Sequence, residues 1–246
     1  MSREYRFFID KSNDFLSKDF VISARNEYKD IFHRLLNVLR VNVGDIVVFF
    51  NGRYGDDKFF EFVFSVEVAH KKEISFRFLE KRGNFNEIVN PPVLVLALPN
   101  KLDKLDFILQ KSVELGVCKV VLVNGDFSRL KHSLKEDRMR KIVMEASEQA
   151  ERGFVPEIVV EGKLSLFLEK VKEENCFVLL ERSDAVHFSK ITDFNSVFLI
   201  VGPEGGFSDD EKLLFEKLDI TAVSLGKRIL RMETAVVVGL GFLSCY

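Results

Sequence analysis

From residue 93 onward, short apolar runs alternate with charged amphipathic segments, which restricts this part of the chain to an α/β arrangement around a mostly parallel sheet. "VLVLALP" (93–99), "CKVVLVNG" (118–125), "EIVV" (157–160), "CFVLLER" (176–182), "SVFLIVG" (196–202) and "ITAVSLG" (220–226) read as strands. Between and after them, residues 101–116, 135–152, 164–175, 209–218 and 232–246 carry helical periodicity. Residues 1–84 follow a different pattern, with β-rich runs at 45–57, 58–70 and 73–81 and a hairpin turn expected at Asn51-Gly52. One helix is expected in "EYKDIFHRLLNVLRV" (27–41), with Ile31, Leu35, Val38 and Leu39 on one face. These residues predict a small β-barrel-like module. The polar stretch "KRGNFNEIVNPP" (81–92) ends in two prolines, which cannot donate to a strand ladder. The expected division is therefore 1–84, a linker at 85–92, and 93–246.

Charge and cysteine usage exclude several classes. The formal net charge of −2 advertises no nucleic-acid partner globally, so any such partner requires a local basic surface. Cys118, Cys176 and Cys245 are far apart and His33, His70, His132 and His187 are scattered, so neither a disulfide framework nor a metal site is expected. The start "MSREYRFFIDKSNDF" has no apolar signal core, and no apolar run approaches the ~20 residues of a membrane span, which predicts a cytoplasmic protein.

The glycine turn "VGPEGGFSDD" (201–210) poses the sharpest chemical question. It joins a strand to a helix, as phosphate-binding loops do, but it matches neither GxxxxGK[ST] nor GxGxxG. Ser208 and Glu211 have capping-box spacing, and Asp209, Asp210 and Glu211 fill the first helical turn, where they would repel a phosphate. The turn is then either a plain strand-to-helix loop or a backbone cradle for a ligand without phosphate. A second strand, glycine turn and helix follow in "VSLGKRILRMETAVVVGL" (223–240). There Ile229 and Leu230 lie between Arg228 and Arg231, so the apolar pair either enters the core or covers a ligand beside an anionic partner. In "DFSRLKHSLKEDRMRK" (126–141), Arg129, Lys131, Lys135, Arg138, Arg140 and Lys141 suit phosphate-backbone contacts, or equally a solvated helix face.

Taken together, "GPEGGFS" and "LGKRILRMETA" resemble the SPOUT RNA methyltransferases, specifically the RsmE family of 16S rRNA (uracil-N3) methyltransferases. The similarity extends to "KLDKLDFILQKSVELGV", "RMRKIVMEASEQAERGFVPEI" and "HRLLNVLRVNVGD", and so to nearly the whole chain. The resemblance implies a SPOUT-type α/β domain with a C-terminal trefoil knot, preceded by a PUA-like RNA-binding barrel. It also implies S-adenosylmethionine as cofactor, no metal, a homodimer, and a uridine of 16S rRNA in the small ribosomal subunit as substrate. The implied cofactor residues are Ile200, Gly202, Pro203, Glu204, Gly205, Gly206, Leu225, Gly226, Ile229, Leu230, Thr234 and Ala235. Arg152, Arg231 and Glu233 are the candidate catalytic residues; Glu204 and Glu233 are each either a proton acceptor or a turn and capping residue. Arg40, Arg129, Lys131, Arg138 and Arg228 are the candidate RNA contacts. The chain departs from the family pattern at Lys227, at Met232, and at Phe127, where the family usually has arginine and where Arg129 stands two residues away. A non-catalytic RNA-binding protein, or an enzyme methylating ribose or another base, is the alternative.

Overall fold

The computed structural model describes residues 4–55, 58–84, 86–130, 133–172, 174–181, 185–191 and 197–244. The chain divides into two compact units, residues 1–87 with 147–155 and residues 88–146 with 156–246.

In the first unit the elements are β1 (Glu4–Phe8), α1 (Asn13–Leu16), β2 (Phe20–Ser23), α2 (Lys29–His33), a π-helical turn (Arg34–Leu39), β3 (Ile46–Gly55), β4 (Lys58–Ala69) and β5 (Glu73–Asn84). They form a mixed sheet in the order β1-β3-β4-β5-β2, with β1 parallel to β3 and the other pairs antiparallel. Alternation along β5 turns Ile74 and Phe76 inward and leaves Glu73 and Arg77 outside. Phenylalanines make the core: Phe20 lies 5.1 Å from both Phe64 and Phe76, and Phe49 lies 5.3 Å from Phe20 and Phe76, mostly edge to face.

Three local expectations are corrected here. Asn51-Gly52 is not the hairpin turn; it lies inside β3, where the register with β4 shifts between Phe50 and Tyr54. The buried Asn51 amide donates to Lys11 O and Asn13 Oδ1, both at 2.8 Å, and Gly52 takes a φ of +68°, so the pair makes a bulge rather than a turn. β5 runs on past the expected 73–81 through Arg82 and Gly83 to Asn84. In the predicted helix, Leu35 is buried but Val38 is 65% exposed, because the wider π winding after His33 rotates it off the apolar face.

Residues 147–155 belong to this unit through polar contacts. The Glu148 carboxylate pairs with Arg34 at 2.6 Å and accepts from Phe8 N at 3.1 Å, and Arg6 Nη2 donates to Arg152 O at 3.0 Å. Phe154 stacks on Phe59 at 4.9 Å. Glu151 takes a left-handed φ of +55°, and Arg152 N reaches back to Ser147 O at 2.9 Å, the bond that closes a Schellman-type helix end.

The second unit contains β6 (Val93–Ala97), α3 (Leu102–Glu114), β7 (Lys119–Asn124), α4 (Glu136–Gln149, its last residues in the first unit), β8 (Glu157–Lys163), α5 (Leu164–Lys170) and β9 (Asn175–Leu179). After these come β10 (Val186–His187), a short 3-10 turn (Phe188–Lys190), β11 (Val197–Val201), α6 (Asp209–Lys217), β12 (Thr221–Ser224) and α7 (Met232–Ser244). The strand order is β10-β12-β9-β11-β6-β7-β8, and every neighbouring pair is parallel. Near-continuous apolar strands such as "VLVLA" and "KVVLVN" suit a sheet buried on both faces. This order brings the carboxyl ends of β9, β11 and β12 side by side, the position where open α/β sheets bind ligands.

Glu61 anchors the first unit. It is 4% exposed and accepts from Arg6 Nη1 at 2.6 Å, Arg82 Nε at 2.9 Å and Asn84 Nδ2 at 2.5 Å. Burial pushes its carboxyl up, but the Arg6 charge and the hydrogen bonds from Arg6, Arg82 and Asn84 outweigh burial and hold it below the ordinary value. Its contribution to stability is therefore complete above the unfolded carboxylate pKa of about 4.3 and is lost as pH falls through the lower folded value. Replacing Glu61 by Ala leaves Arg6 buried and unpaired, at an expected cost of about 3–5 kcal/mol. Urea unfolding followed by tyrosine near-UV signal reads this directly, because the chain has no tryptophan and three of its four tyrosines (Tyr5, Tyr28, Tyr54) precede residue 88.

Candidate active site

A cleft of about 780 Å³ opens in the second unit at those strand ends. Three segments form most of its wall: Leu179–Glu181 after β9, Val201–Phe207 after β11, and Leu225 to Ala235 without Lys227, Glu233 and Thr234. Lys104 of α3 and Lys212 of α6 complete it. The lining is largely aliphatic, with Leu179, Leu180, Leu225, Ile229, Leu230 and Met232, while Glu181, Glu204, Arg228 and Arg231 supply charge.

The β11–α6 turn is held rigidly. Ser208 caps α6: its Oγ accepts from Glu211 N at 3.1 Å, and Glu211 Oε2 accepts from Ser208 N at 2.9 Å. Glu211 is buried, and its other oxygen accepts from Asp126 N at 3.0 Å. The Ser208 hydroxyl donates to Asp126 Oδ2 at 2.5 Å. The loop after β7 is thus tied to the start of α6 by two bonds. Gly206 takes a φ of +71°, which favours glycine, and a Cβ at Gly205 would stand 3.0 Å from Phe127 Cβ, a tight contact that the glycine avoids.

On the other side, Glu204 reaches back to α3. Its carboxylate accepts from Lys104 Nζ at 2.6 Å and from Asn100 N at 3.1 Å. Partial burial raises its pKa, but the Lys104 hydrogen bond and charge together with backbone N–H groups outweigh burial and leave the pKa below the ordinary value. Glu204 is therefore an ionised brace.

The structure brings Gly202, Pro203, Glu204, Gly205, Gly206, Leu225, Gly226, Arg228, Ile229, Leu230, Arg231 and Ala235 together around the cleft. Ile200 packs in the sheet core, and Thr234 and Glu233 are not in the lining. One oxygen of Glu233 is buried without a hydrogen-bond partner among the described residues. Arg152 lies in the first unit, where its guanidinium pairs with Glu87 at 2.8 Å and lies 4.6 Å over the Phe154 ring. Arg40 is exposed with a φ of +56°, Arg129 is exposed, and Arg138 pairs with Asp106. Lys131 lies outside the described residues. Sequence reasoning missed Lys104 of α3 and Leu179–Glu181 at the end of β9, which are distant along the chain from the glycine turns, and Phe207 and Lys212, which follow the first turn. The position of β9 beside both β11 and β12 is what brings Leu179–Glu181 in.

Comparison with known proteins accounts for this arrangement. The RNA methyltransferase domain family matches residues 88–244. A ribosomal RNA small subunit methyltransferase E of Rickettsia conorii is 30% identical over 213 residues, covering 83% of this chain and 82% of that protein. The chain belongs to the ribosomal RNA small subunit methyltransferase E family. The family member from Bacillus subtilis is 28% identical over 228 residues, covering 86% of each chain. The crystal structure of the family member from Neisseria gonorrhoeae, bound to S-adenosyl methionine, superposes with a TM-score of 0.85 at 27% identity, covering 99% of this chain and 98% of that one. Among the described residues no group of His, Cys, Asp and Glu could hold a metal ion, and no helix is long and apolar enough to cross a membrane.

Replacing Ser208 by Ala removes both the α6 cap and the donor to Asp126. The expected loss is about 1–2 kcal/mol, measured as a lower urea midpoint of the full chain with an unchanged m-value.

Proposed function

We propose that the chain is an S-adenosylmethionine-dependent methyltransferase that modifies N3 of a uridine in the 16S RNA of the small ribosomal subunit. The observation that carries this reading is the cleft itself: two glycine turns and an aliphatic lining at the carboxyl ends of β9, β11 and β12. The start of α6, where a phosphate would sit beside a strand-to-helix glycine turn, carries Asp209, Asp210 and Glu211 in its first turn, which favours a ligand without phosphate. The volume lies within the range of small-molecule sites. When bound, S-adenosylmethionine supplies a methyl group activated by its sulfonium charge.

The chain's own residues divide the remaining work. Gly202, Gly205, Gly206 and Gly226 allow close backbone approach to a purine edge, and Leu179, Leu225, Ile229 and Leu230 are suited to cover its faces. Glu204, committed to Lys104 and Asn100, keeps the first glycine turn in place. N3 of uracil carries a proton and is a weak nucleophile while it does, so charge developing on the base needs a cation. Arg231 lines the cleft, is exposed, and makes no ion pair among the described residues, so we assign it that role. The N3 atom lies on the pairing edge, so the uridine must be unpaired or turned out of its helix.

The same reading extends to a cytoplasmic homodimer, a trefoil knot in the second unit and a PUA-like first unit. The insertion of β11 between β6 and β9 supports the knot, and the five-stranded mixed sheet around a phenylalanine core supports the barrel.

Small subunits lacking the modification, incubated with methyl-labelled cofactor and digested to nucleosides, should yield label in 3-methyluridine. Label in a ribose or another base, or no label, would overturn the assignment. Arg231→Ala should lower kcat about 100-fold while cofactor affinity by calorimetry stays within about threefold. An Arg231→Ala variant of full activity would remove Arg231 from the mechanism.

A further inference from the structure

Phe127 stands on the loop that follows β7 and is 39% exposed. Exposed aromatics are common enough singly; what sets this one apart is how firmly it is held. Asp126, the preceding residue, is fixed by Glu211 at 3.0 Å and by Ser208 at 2.5 Å. Across the loop, Gly125 N donates to Ser128 Oγ at 3.1 Å and Ser128 N donates to Gly125 O at 3.0 Å. The Phe127 Cβ and ring edge lie against Gly205, in the turn that lines the cleft. The loop therefore presents part of an aromatic ring to solvent beside the cleft, with its ordering cost already met in the free protein. The next cation, Arg129, is exposed and makes no ion pair among the described residues, and Arg228 and Arg231 at the cleft are also exposed.

A partly exposed ring on a backbone-held loop, two residues before the exposed Arg129 and against the cleft whose wall includes Arg228 and Arg231, fits a splayed nucleotide: the base stacks on the ring and the phosphates meet the arginines. An apolar peptide would have no use for the arginines. We propose that Phe127 is a stacking platform for a base of the RNA substrate, the target uridine or its neighbour, and so a residue that sets substrate affinity. This rests on the methyltransferase reading of the cleft given above.

The test separates stacking from a merely structural role. Phe127→Leu keeps apolar packing on Gly205 and removes the π-face; Phe127→Trp keeps the π-face. With unmodified small subunits as substrate, Phe127→Leu should raise KM at least about fivefold, with cofactor affinity by calorimetry unchanged, and Phe127→Trp should restore KM. In a single-stranded RNA carrying 2-aminopurine beside a uridine, the wild-type chain should alter the base's fluorescence, and Phe127→Leu should abolish that change. A Phe127→Leu variant with wild-type KM and wild-type fluorescence change overturns the platform. So does a variant whose KM and cofactor affinity shift together, since the ring then serves only the turn. If the wild-type chain transfers no methyl group, the functional reading fails by itself, and the fluorescence arm alone decides the platform.

Discussion

The Glu211 carboxylate fixes the geometry of the cleft. One oxygen closes the capping box with Ser208 and the other accepts from Asp126 N, so a single buried group sets the start of α6 and the loop after β7 together. The glycine turn 202–207 runs between β11 and this anchor and can adopt its course only because both of its ends are held. A buried carboxylate is costly unless its lone pairs are filled, and here backbone N–H groups fill them. The same group thus excludes an anionic ligand from the helix end and keeps the backbone of the turn open to a ligand without phosphate.

The first unit solves its burial problem in the same way. Arg6, Glu61, Arg82 and Asn84 form one connected polar set beneath a sheet otherwise filled with phenylalanine. Such a set adds little net stability over an apolar core, but losing any single member is expensive. It also reaches the 147–155 segment, because Arg6 donates to Arg152 O and Asn84 donates to Glu151 O. Arg152 is consequently oriented from both ends: its carbonyl by Arg6, and its guanidinium by Glu87 and Phe154.

Much of this was legible in the sequence, for reasons that differ by element. The parallel strands announced themselves because both faces are buried and their apolar runs are unbroken. The Ser208–Glu211 box was visible because capping is local in sequence. Asn51-Gly52 misled because a dipeptide that permits a left-handed residue serves a bulge as well as a turn, and only the partners of the Asn51 amide distinguish the two. Val38 misled because helical periodicity assumes 3.6 residues per turn and the winding changes after His33. Leu179, Leu180 and Lys104 carried no signal of their own. Sheet order brings the first two to the cleft, and the Glu204 carboxylate holds the third there.

Charge pairing then decides what the cleft can receive. Lys104 cancels Glu204, Asp209 and Lys212 pair with each other, and Arg138 is taken by Asp106. The arginines left at the cleft, Arg228 and Arg231, make no ion pair among the described residues, and Glu181 lines the same wall. A wall that carries both signs of charge suits two ligands of opposite character, a sulfonium cation and a polyanion. Arginine serves the second task better than lysine, because its planar fork can engage a phosphate or the oxygens of a base in two directions. The chain's overall charge of −2 conceals this, since the 36 Lys and Arg are offset in the total by 38 Asp and Glu wherever each stands. Recognition of RNA by such a protein depends on placement rather than on net charge.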